Sequence, residues 1–399
     1  MSARAWKFRI YPSKLNENHL EKYLHDCKEL WNKLLAYTKD YYKETGKFPT
    51  RRQLYLQAKG TQLFSQVAQN VADRLFKCIG GMLIKKKAGK MAGFPRFKPI
   101  ERMKSFTYPQ FGFKLSNKLE LSGMGSIPIK KHREIEGEIK TLTIKRFPSG
   151  KWFAVFTSEI EEMQIPKKQV AAVGLDLGVE HFAYTSDGEF VANPRHLNKA
   201  EVKLGDAQKR LSRKKKGSKT RRKARLKVAC IHEKLANRRR DFLHKLSRKL
   251  VEKYSFIAME NLNTAGMARS FLAKSILDCG WAEFSGMLAY KAEEAGCEVV
   301  LVKPAHTTQT CSNCGSVRKK SLAERRHKCA CGASMHRDLN AAINILKRAT
   351  LGHRGSNASG EETSTHYKHN GASIFDERGS PAMVKFRRTS PDISAEMRI

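Results

Sequence analysis

The sequence predicts a multidomain α/β protein that combines a small β-barrel, a helical insert and a cysteine-rich metal site. Three observations indicate this: short alternating strands in the first 160 residues, apolar strands alternating with helices after residue 170, and four cysteines crowded between Cys311 and Cys331. A chain of 399 residues is long enough for two to four domains. Its hydrophobic content of 40% supports sizeable cores and excludes a wholly disordered protein.

The first predicted domain is a β-barrel interrupted by helices. Residues 6–11 alternate with the two-residue period of a half-buried strand, which Pro12 ends. Residues 16–90 show helical periods, and Thr50 is placed to cap the second of three helices. Between residues 93 and 160 short strands return, separated by Gly, Pro and Asn. We expect the first strand to complete the barrel formed by these later strands, with the helices inserted between.

The second predicted domain is an α/β sheet. Residues 170–175 form a continuous apolar run typical of a central strand, and a hairpin around Asp187-Gly188 follows. Further strands are predicted at 256–259 and 299–302, with a helix over 281–295 between them. The order of these elements predicts a mixed sheet with an antiparallel edge. Residues 350–399 show little periodicity, and we expect a flexible tail there.

Three carboxylates occupy comparable positions in this second domain. Asp176 and Glu260 each stand where an apolar strand ends, which in an α/β sheet is the edge where ligands bind. Asp338 begins a predicted helix whose apolar residues are spaced to pack on the sheet. Three converging carboxylates can hold two divalent cations, which activate water and stabilise the leaving oxygen in phosphodiester displacement. Because Mg²⁺ prefers oxygen ligands, we expect Mg²⁺ at this site.

Four cysteines form two closely spaced pairs. Cys311 and Cys314 make a C-x-x-C pair, Cys329 and Cys331 make a C-x-C pair, and a glycine follows each pair. Four thiolates at this spacing can surround Zn²⁺ tetrahedrally. The second pair is tighter than usual, so His327 or His336 could replace one thiolate. We expect this zinc site to stabilise the fold and to have no role in bond cleavage.

The charge of the chain indicates a nucleic-acid partner. Its 77 Lys and Arg against 38 Asp and Glu leave a net charge of +39, which a polyanion would neutralise. Between residues 203 and 250 there are 20 Lys and Arg against 3 Asp and Glu, within a basic helical region predicted over 199–252. Phosphate contacts of this kind are independent of sequence and sensitive to salt. The candidate nucleic-acid-binding residues are Arg213, Lys214, Lys215, Lys216, Arg221, Arg222, Lys223, Arg238, Arg239 and Arg240.

These motifs follow the order seen in TnpB, the insertion-sequence-encoded family of RNA-guided nucleases related to type V CRISPR effectors. The chain resembles that family over residues 6 to about 350, through Gly-Leu-Asp-Leu-Gly at 174–178, Met-Glu-Asn-Leu at 259–262, the cysteine ribbon and the segment 336–345. Tyr11-Pro12, the helix around 65–75 and Gly-Phe-Pro-Arg-Phe-Lys at 93–98 also look like family features. One position departs: the family commonly has Asp-Arg-Asp where this chain has His336-Arg337-Asp338, and we assign catalysis to Asp338.

The resemblance implies a domain plan. It implies a RuvC nuclease domain of RNase H type at 168–306 and 334–349, with a zinc ribbon inserted at 307–333. It also implies a β-barrel wedge domain at 1–15 and 91–165 that carries a helical recognition insert at 16–90. Asp176, Glu260 and Asp338 would be the catalytic acids, with Asp176 bridging two Mg²⁺ ions and the other two acids each flanking one.

The predicted function is that of an RNA-guided DNA endonuclease of a transposable element, cutting next to a short flanking motif. Its implied partners are a guide RNA encoded beside the gene and double-stranded target DNA. A guide-directed repressor without nuclease activity is an alternative, but it would need a broken set of acids. A DNA strand-transfer transposase is another, because RNase H folds also carry out transposition with similar acids. An RNA-binding protein of the translation apparatus would explain the charge but not the acids.

The sequence contains no run of the 18 to 20 apolar residues that a membrane-spanning helix needs. Its N-terminus lacks the apolar region of a secretory signal. We therefore expect a soluble, intracellular protein with no membrane partner. The family resemblance places it in the prokaryotic cytoplasm, and a monomer is favoured.

Overall fold

The structure is a computed structural model that describes residues 2–161, 171–321, 324–354 and 364–366. The chain forms two compact units that divide near residue 162. Each unit has its own sheet and its own hydrophobic core.

The first unit is built on a seven-stranded antiparallel sheet that curls into a barrel-like form. Strand β1 pairs with both β7 and β5, which confirms the prediction that the first strand joins the sheet formed by the later strands. The rings of Tyr108 and Phe113, on the two edge strands, lie 6.3 Å apart. The order is β2-β6-β7-β1-β5-β4-β3, and the strands are β1 (Ser2–Ile10), β2 (Ser105–Tyr108), β3 (Phe113–Leu115), β4 (Lys118–Leu121), β5 (Gly125–Lys130), β6 (Glu138–Arg146) and β7 (Trp152–Ile160).

Three helices are inserted between β1 and β2, as predicted. They are α1 (Lys14–Thr45), α2 (Arg51–Ala58) and α3 (Ser65–Lys87), and a 3-10 turn at Ile100–Arg102 follows. Thr50 caps α2 through a hydrogen bond from the backbone N–H of Gln53, which confirms the predicted cap. These helices share one core with the barrel: Tyr23 of α1 lies 5.2 Å from Phe106 of β2 between ring centroids, and its hydroxyl accepts a hydrogen bond from the backbone N–H of Phe64.

The second unit contains a six-stranded mixed sheet. Strands β8, β11 and β12 are parallel, whereas β9, β10 and β15 run antiparallel to their neighbours, as the element order predicts. The order is β10-β9-β8-β11-β12-β15, and the strands, with the separate hairpin β13 and β14, are β8 (Ala172–Leu177), β9 (His181–Thr185), β10 (Phe190–Ala192), β11 (Phe256–Glu260), β12 (Glu298–Val302), β13 (Arg326–Lys328), β14 (Ser334–His336) and β15 (Ser364–His366).

Helices cover both faces of this sheet, which explains why its central strands are mostly apolar and carry their acidic residues near their ends. They are α4 (His196–Ser212), α5 (Lys219–Lys253), α6 (Thr264–Met267), α7 (Ala273–Cys279), α8 (Trp281–Ala295) and α9 (Arg337–Arg354). Ile257 and Met259 face α5 and α8, whereas Ala258 faces Ile345 of α9. Helix α9 therefore covers one face of the sheet, and α5 with α8 covers the other.

Two predictions for this unit are corrected by the structure. The basic region 199–252 is two helices, because the chain turns at residues 213–218, where Gly217 has φ +85° and Ser218 caps α5. Two parts of the predicted flexible tail have regular structure instead, because α9 continues to Arg354 and Ser364–His366 pairs with β12. The rest of the predicted tail, 355–363 and 367–399, lies outside the described residues. Among the described helices, none combines the length and the apolar character needed to cross a membrane.

Candidate active site and metal centre

Asp176 and Glu260 stand side by side at the carboxyl edge of the second sheet. The parallel register pairs Leu175 with Met259, so the next residue on each strand is one of the two acids. Neighbouring strands lie about 4.8 Å apart, which brings the two backbones close together. Side chains alternate along a strand, and Glu260 shares the face of Ala258, the face that α9 covers.

Asp338 reaches the same place because α9 packs closely on β8. A Cβ added to Gly174 would lie 2.0 Å from the carbonyl oxygen of Ala342, so only glycine permits this approach. Asp176 lies two residues beyond Gly174 on the same face, and Asp338 lies one helical turn before Ala342. The N-terminus of α9 therefore points to the strand ends, where its dipole favours negative charge.

The electrostatics of the site reflect three acids with little access to water. Burial, followed by the charges of Glu260 and Asp338, raises the pKa of Asp176 well above its usual value, and Arg337 opposes this. Burial also raises the pKa of Glu260, against a hydrogen bond from Thr307 and the charge of Arg348. Among the described residues, the three carboxylates do not form a group in which one oxygen from each lies within 4.8 Å of the other two, whereas the four cysteine sulfurs do.

Three polar residues that the sequence analysis missed connect this site to the cysteine segment. The Thr307 hydroxyl donates a hydrogen bond to Glu260. Asn344 on α9 donates to the carbonyl oxygens of Thr307 and Thr310, at 2.9 and 2.7 Å. Asn340, one turn earlier, donates to Thr310 and accepts from the backbone N–H of Ser312. The two asparagines stand four residues apart on an otherwise apolar face, a signal that sequence reasoning could have used.

His336 occupies the position before α9 and acts as its N-cap. Its Nδ1 accepts a hydrogen bond from the backbone N–H of Asp338 at 3.2 Å, as an aspartate at this position could also do. The ring stacks on Tyr184, with centroids 5.0 Å apart and planes 9° apart. The histidine therefore retains the capping contact without adding a fourth carboxylate.

The four predicted cysteines form one compact group. Cys311 Sγ lies 3.8 Å from Cys331 Sγ, Cys314 Sγ lies 3.5 Å from Cys329 Sγ, and all four sulfur atoms lie within 4.8 Å of one another. Tetrahedral zinc, with Zn–S bonds near 2.3 Å, would place its sulfur ligands about 3.8 Å apart. These separations are too long for disulfides, which require about 2.05 Å. The group includes neither His327 nor His336, the two histidines considered as alternative ligands.

Hydrogen bonds within the cysteine group shift the pKa values of its thiols in opposite directions. The backbone N–H of Ala333, with help from the neighbouring thiols, lowers the pKa of Cys331 to about 6. Although the backbone N–H of Ser316 lowers the pKa of Cys314, hydrogen bonds with Cys329 and Cys331 raise that pKa to about 12. Tight turns close on each pair: the N–H of Gly315 donates to the carbonyl of Cys311, and that of Gly332 to the carbonyl of Cys329. A soft divalent cation such as zinc fits this set of donors.

The basic residues predicted to bind nucleic acid divide into two groups. Arg221 donates to the carbonyl oxygens of Leu211 and Lys214, and so holds the turn between α4 and α5. Arg239 and Arg240 form ion pairs with the partly buried Asp278 and Glu283, respectively. These three arginines stabilise the fold, and the exposed members that remain as candidates are Arg213, Lys214, Lys215, Lys216, Arg222, Lys223 and Arg238.

Comparison with known proteins adds three family matches. Residues 155–270 match the OrfB/IS605 model, described as "Probable transposase", and residues 281–345 match a model described as "Cas12f1-like, TNB domain". Residues 1–47 match a model described as "Helix-turn-helix domain". Residues 2–47 of this structure contain a strand and one unbroken helix, so no helix-turn-helix is formed there.

Two relatives extend over most of the chain. A Streptomyces pristinaespiralis protein named "Putative RNA-guided DNA endonuclease" is 32% identical over 86% of this chain and 88% of its own length. An Escherichia coli K12 protein named "Putative RNA-guided DNA endonuclease InsQ" is 30% identical over 86% of this chain and 91% of its own length. The fold is similar to a Cas12f1 chain solved with guide RNA and target DNA, with a TM-score of 0.55, 15% identity, and coverage of 84% and 83% of the two chains.

The contact at Gly174 leads to a stability prediction. We expect Gly174→Ala to destabilise the protein by roughly 2–3 kcal/mol, because the added methyl group would overlap the backbone of α9. Urea unfolding measures this cost. The matched control is Gly205→Ala in α4, where nothing lies within 4 Å and alanine should stabilise the helix by about 0.5–1 kcal/mol. Equal effects of the two substitutions would contradict the close packing of α9.

The crowding of acids leads to a pH prediction. Folding raises the pKa of Asp176, so the protonated carboxyl favours the folded state. This contribution to stability is present at low pH and is lost as the pH rises through the folded pKa. In metal-free buffer, Asp176→Asn should raise Tm above pH 7, and the gain should shrink as pH falls towards 4. Asp241→Asn, which removes one partner of an exposed ion pair with Lys245, should change stability by less than about 0.5 kcal/mol. A lower Tm for Asp176→Asn at pH 8 would contradict this account.

Proposed function

This chain belongs to the OrfB/IS605 transposase family, the family of TnpB, and from that membership we propose that it is an RNA-guided DNA endonuclease of a transposable element. It cleaves target DNA next to a short flanking motif, using a guide RNA encoded beside its gene. The observation that carries this proposal is the convergence of Asp176, Glu260 and Asp338 under the N-terminus of α9.

The proposed nuclease domain is a RuvC domain of RNase H type. The sheet order β10-β9-β8-β11-β12, with three parallel strands and an antiparallel hairpin at one edge, supports this assignment. The domain comprises residues 168–306 and 334–349, with the ribbon at 307–333 between its last two acids. The barrel-like sheet of the first unit is the proposed wedge domain, and its three inserted helices are the recognition insert.

In the proposed mechanism, Asp176, Glu260 and Asp338 would hold two Mg²⁺ ions, with Asp176 as the shared ligand. Bound Mg²⁺ would supply an activated water and charge stabilisation for the leaving oxygen of the phosphate that is cut. Thr307 orients the Glu260 carboxylate through its hydrogen bond, and Asn344 fixes the backbone of Thr307. Bound cations would also offset the burial and the neighbouring charges that raise the pKa of Asp176.

The proposed role of the cysteine group is to bind one structural Zn²⁺. The sulfur separations and the lowered pKa of Cys331 support a closed four-thiolate site. Lys347, Asn340 and Asn344 hold the segment from Thr307 to Ser312 against α9. Zinc therefore helps to keep Thr307 in place beside Glu260, without itself touching the substrate.

The net charge of +39 supports RNA and DNA as partners. Most of the exposed candidates among the basic residues lie in the turn between α4 and α5 and in the first turn and a half of α5, and Arg238 lies near the middle of α5. We propose that they contact phosphates without reading the sequence, so binding should weaken steeply as salt rises.

A second candidate function is DNA strand transfer, which the matched description of a transposase favours. The same acids and cations could serve it. Incubation with transposon-end DNA in Mg²⁺ separates the two: joined products indicate strand transfer, whereas guide-dependent cuts in a target plasmid indicate an endonuclease. A repressor without nuclease activity is less well supported, because all three acids are retained.

Asp176→Ala should abolish cleavage and leave RNA and DNA binding unchanged, because it removes a cation ligand without altering the basic surface. A guided plasmid-cleavage assay and a filter-binding assay on the same preparation measure the two effects. Asp241→Ala, at an exposed position on α5, is the matched control and should cleave like the wild type. Equal loss of binding in Asp176→Ala would contradict this separation of roles.

Zinc analysis tests the cysteine group. We expect one Zn²⁺ per chain by elemental analysis, and we expect Cys314→Ser to reduce the zinc content and to lower Tm by several degrees, since structural zinc contributes folding energy. Cys230→Ser, on α5 and outside the group, should retain the zinc. A full zinc content in Cys314→Ser would contradict the four-thiolate site.

A further inference from the structure

Four aromatic side chains form a cluster beside the acids. The aromatic cluster consists of His181 and Tyr184 on β9, Phe190 on β10, and His336 before α9. Its rings lie 4.6 Å apart for His181 and Phe190, 5.0 Å for Tyr184 and His336, and 6.0 Å for Tyr184 and Phe190, between centroids. None of the four belongs to the hydrophobic cores formed by the described residues.

The sheet register places this cluster in line with the active site. Asp176 pairs with Tyr184 across β8 and β9, and Tyr184 pairs with Phe190 across β9 and β10. Directly paired residues of antiparallel strands point to the same face. Asp176, Tyr184 and Phe190 therefore lie side by side in one row on one face of the sheet, on three neighbouring strands. Two strand spacings separate the backbones of Asp176 and Phe190 by about 10 Å.

The outer end of the row is open to solvent. Phe190 is 57% exposed, and its strand is the last one of the sheet in the described part of the chain. An exposed ring that adds nothing to the core is free to contact a ligand. The ring pair Tyr184 and His336 supports it from the side of the acids.

The surroundings of the cluster favour a polyanion over an apolar peptide. Arg326 pairs with His336 across the β13–β14 hairpin, and Arg337 follows His336 directly. Arg325 forms an ion pair with Glu180, next to His181, at 2.8 Å. An aromatic surface flanked by arginines is typical of sites that bind single-stranded nucleic acid, where bases stack on rings and phosphates meet cations.

We propose that the aromatic cluster stacks a nucleobase of the single strand whose neighbouring phosphate lies at the three acids. This inference rests on the proposed endonuclease function and assigns Phe190 and Tyr184 as substrate-positioning residues for it. Stacking accepts any base, so the cluster would hold the strand in place without restricting the sequence that is cut. His336, in place of the carboxylate common in the family, adds a ring to this surface and removes a negative charge that would repel the strand.

The test uses the full chain with its copurified RNA and a short oligothymidylate carrying one central 2-aminopurine, a base whose fluorescence falls when it stacks. Ca²⁺ replaces Mg²⁺, and elevated salt weakens binding that depends on phosphates alone. We expect binding of the wild type to quench the fluorescence. Phe190→Ala should lose most of the quenching and raise the Kd by about 5- to 100-fold, while Phe190→Trp should restore both.

Phe271→Ala is the matched control, because Phe271 is 88% exposed in the same unit and lies outside the cluster. It should behave like the wild type. Phe190→Leu keeps an apolar side chain of similar volume but has no ring to stack on a base. If stacking is the interaction, Phe190→Leu should lose the quenching and raise the Kd as Phe190→Ala does. Wild-type quenching in Phe190→Ala or in Phe190→Leu would overturn the proposal. A dimer that Phe190→Ala dissociates in the absence of DNA would also overturn it, because the ring would then serve a second copy of the chain.

The fluorescence assay requires no cleavage, so it tests the stacking site independently of the endonuclease proposal. Quenching by a wild type that never cuts guided DNA in Mg²⁺ would reject the endonuclease and keep the stacking site. Normal cutting by the wild type, with quenching and KM unchanged in Phe190→Ala, would reject the stacking site and keep the endonuclease.

Discussion

The close contact between α9 and β8 at Gly174 is the constraint on which the second unit depends. Because glycine has no Cβ, the backbone of α9 comes close enough to the sheet for Asp338 to face Asp176 and Glu260. The same contact directs the positive end of the helix dipole towards the acids. The packing that places the acids together also buries Asp176, and the ionisation of this crowded carboxyl costs stability.

A polar ladder on α9 links this acid site to the cysteine group. Asn340, Asn344 and Lys347 bind backbone carbonyl and N–H groups of residues 307–312, the segment that begins with Thr307 and contains Cys311 near its other end. The cysteine ribbon is therefore hydrogen-bonded to the helix that carries Asp338, and it is not an independent insertion. Its folding fixes the position of Thr307, the hydrogen-bond donor to Glu260, and so couples the cysteine group to the acids.

The sequence allowed the main elements of the site to be predicted, because strong local signals mark them. Asp176 and Glu260 end apolar runs, Asp338 begins an amphipathic helix, and the cysteine spacing is diagnostic. Thr307 could not be predicted, because its role depends on a loop brought to Glu260 only by tertiary hydrogen bonds. The break between α4 and α5 was missed because the run of Lys and Arg continues across it, although Gly217 and Ser218 marked it. The aromatic row appears only once strand register is known, since Asp176, Tyr184 and Phe190 follow no common sequence period.

The central claim is that Asp176, Glu260 and Asp338 jointly bind two divalent cations. Anomalous diffraction from crystals of the full chain soaked in Mn²⁺ tests it most directly, because it locates each ion without relying on activity. The account predicts two peaks about 3.5–4 Å apart, with a carboxylate oxygen of Asp176 contacting both. A single peak away from Asp176, or an Asp338 carboxylate turned out of contact with either ion, would contradict it.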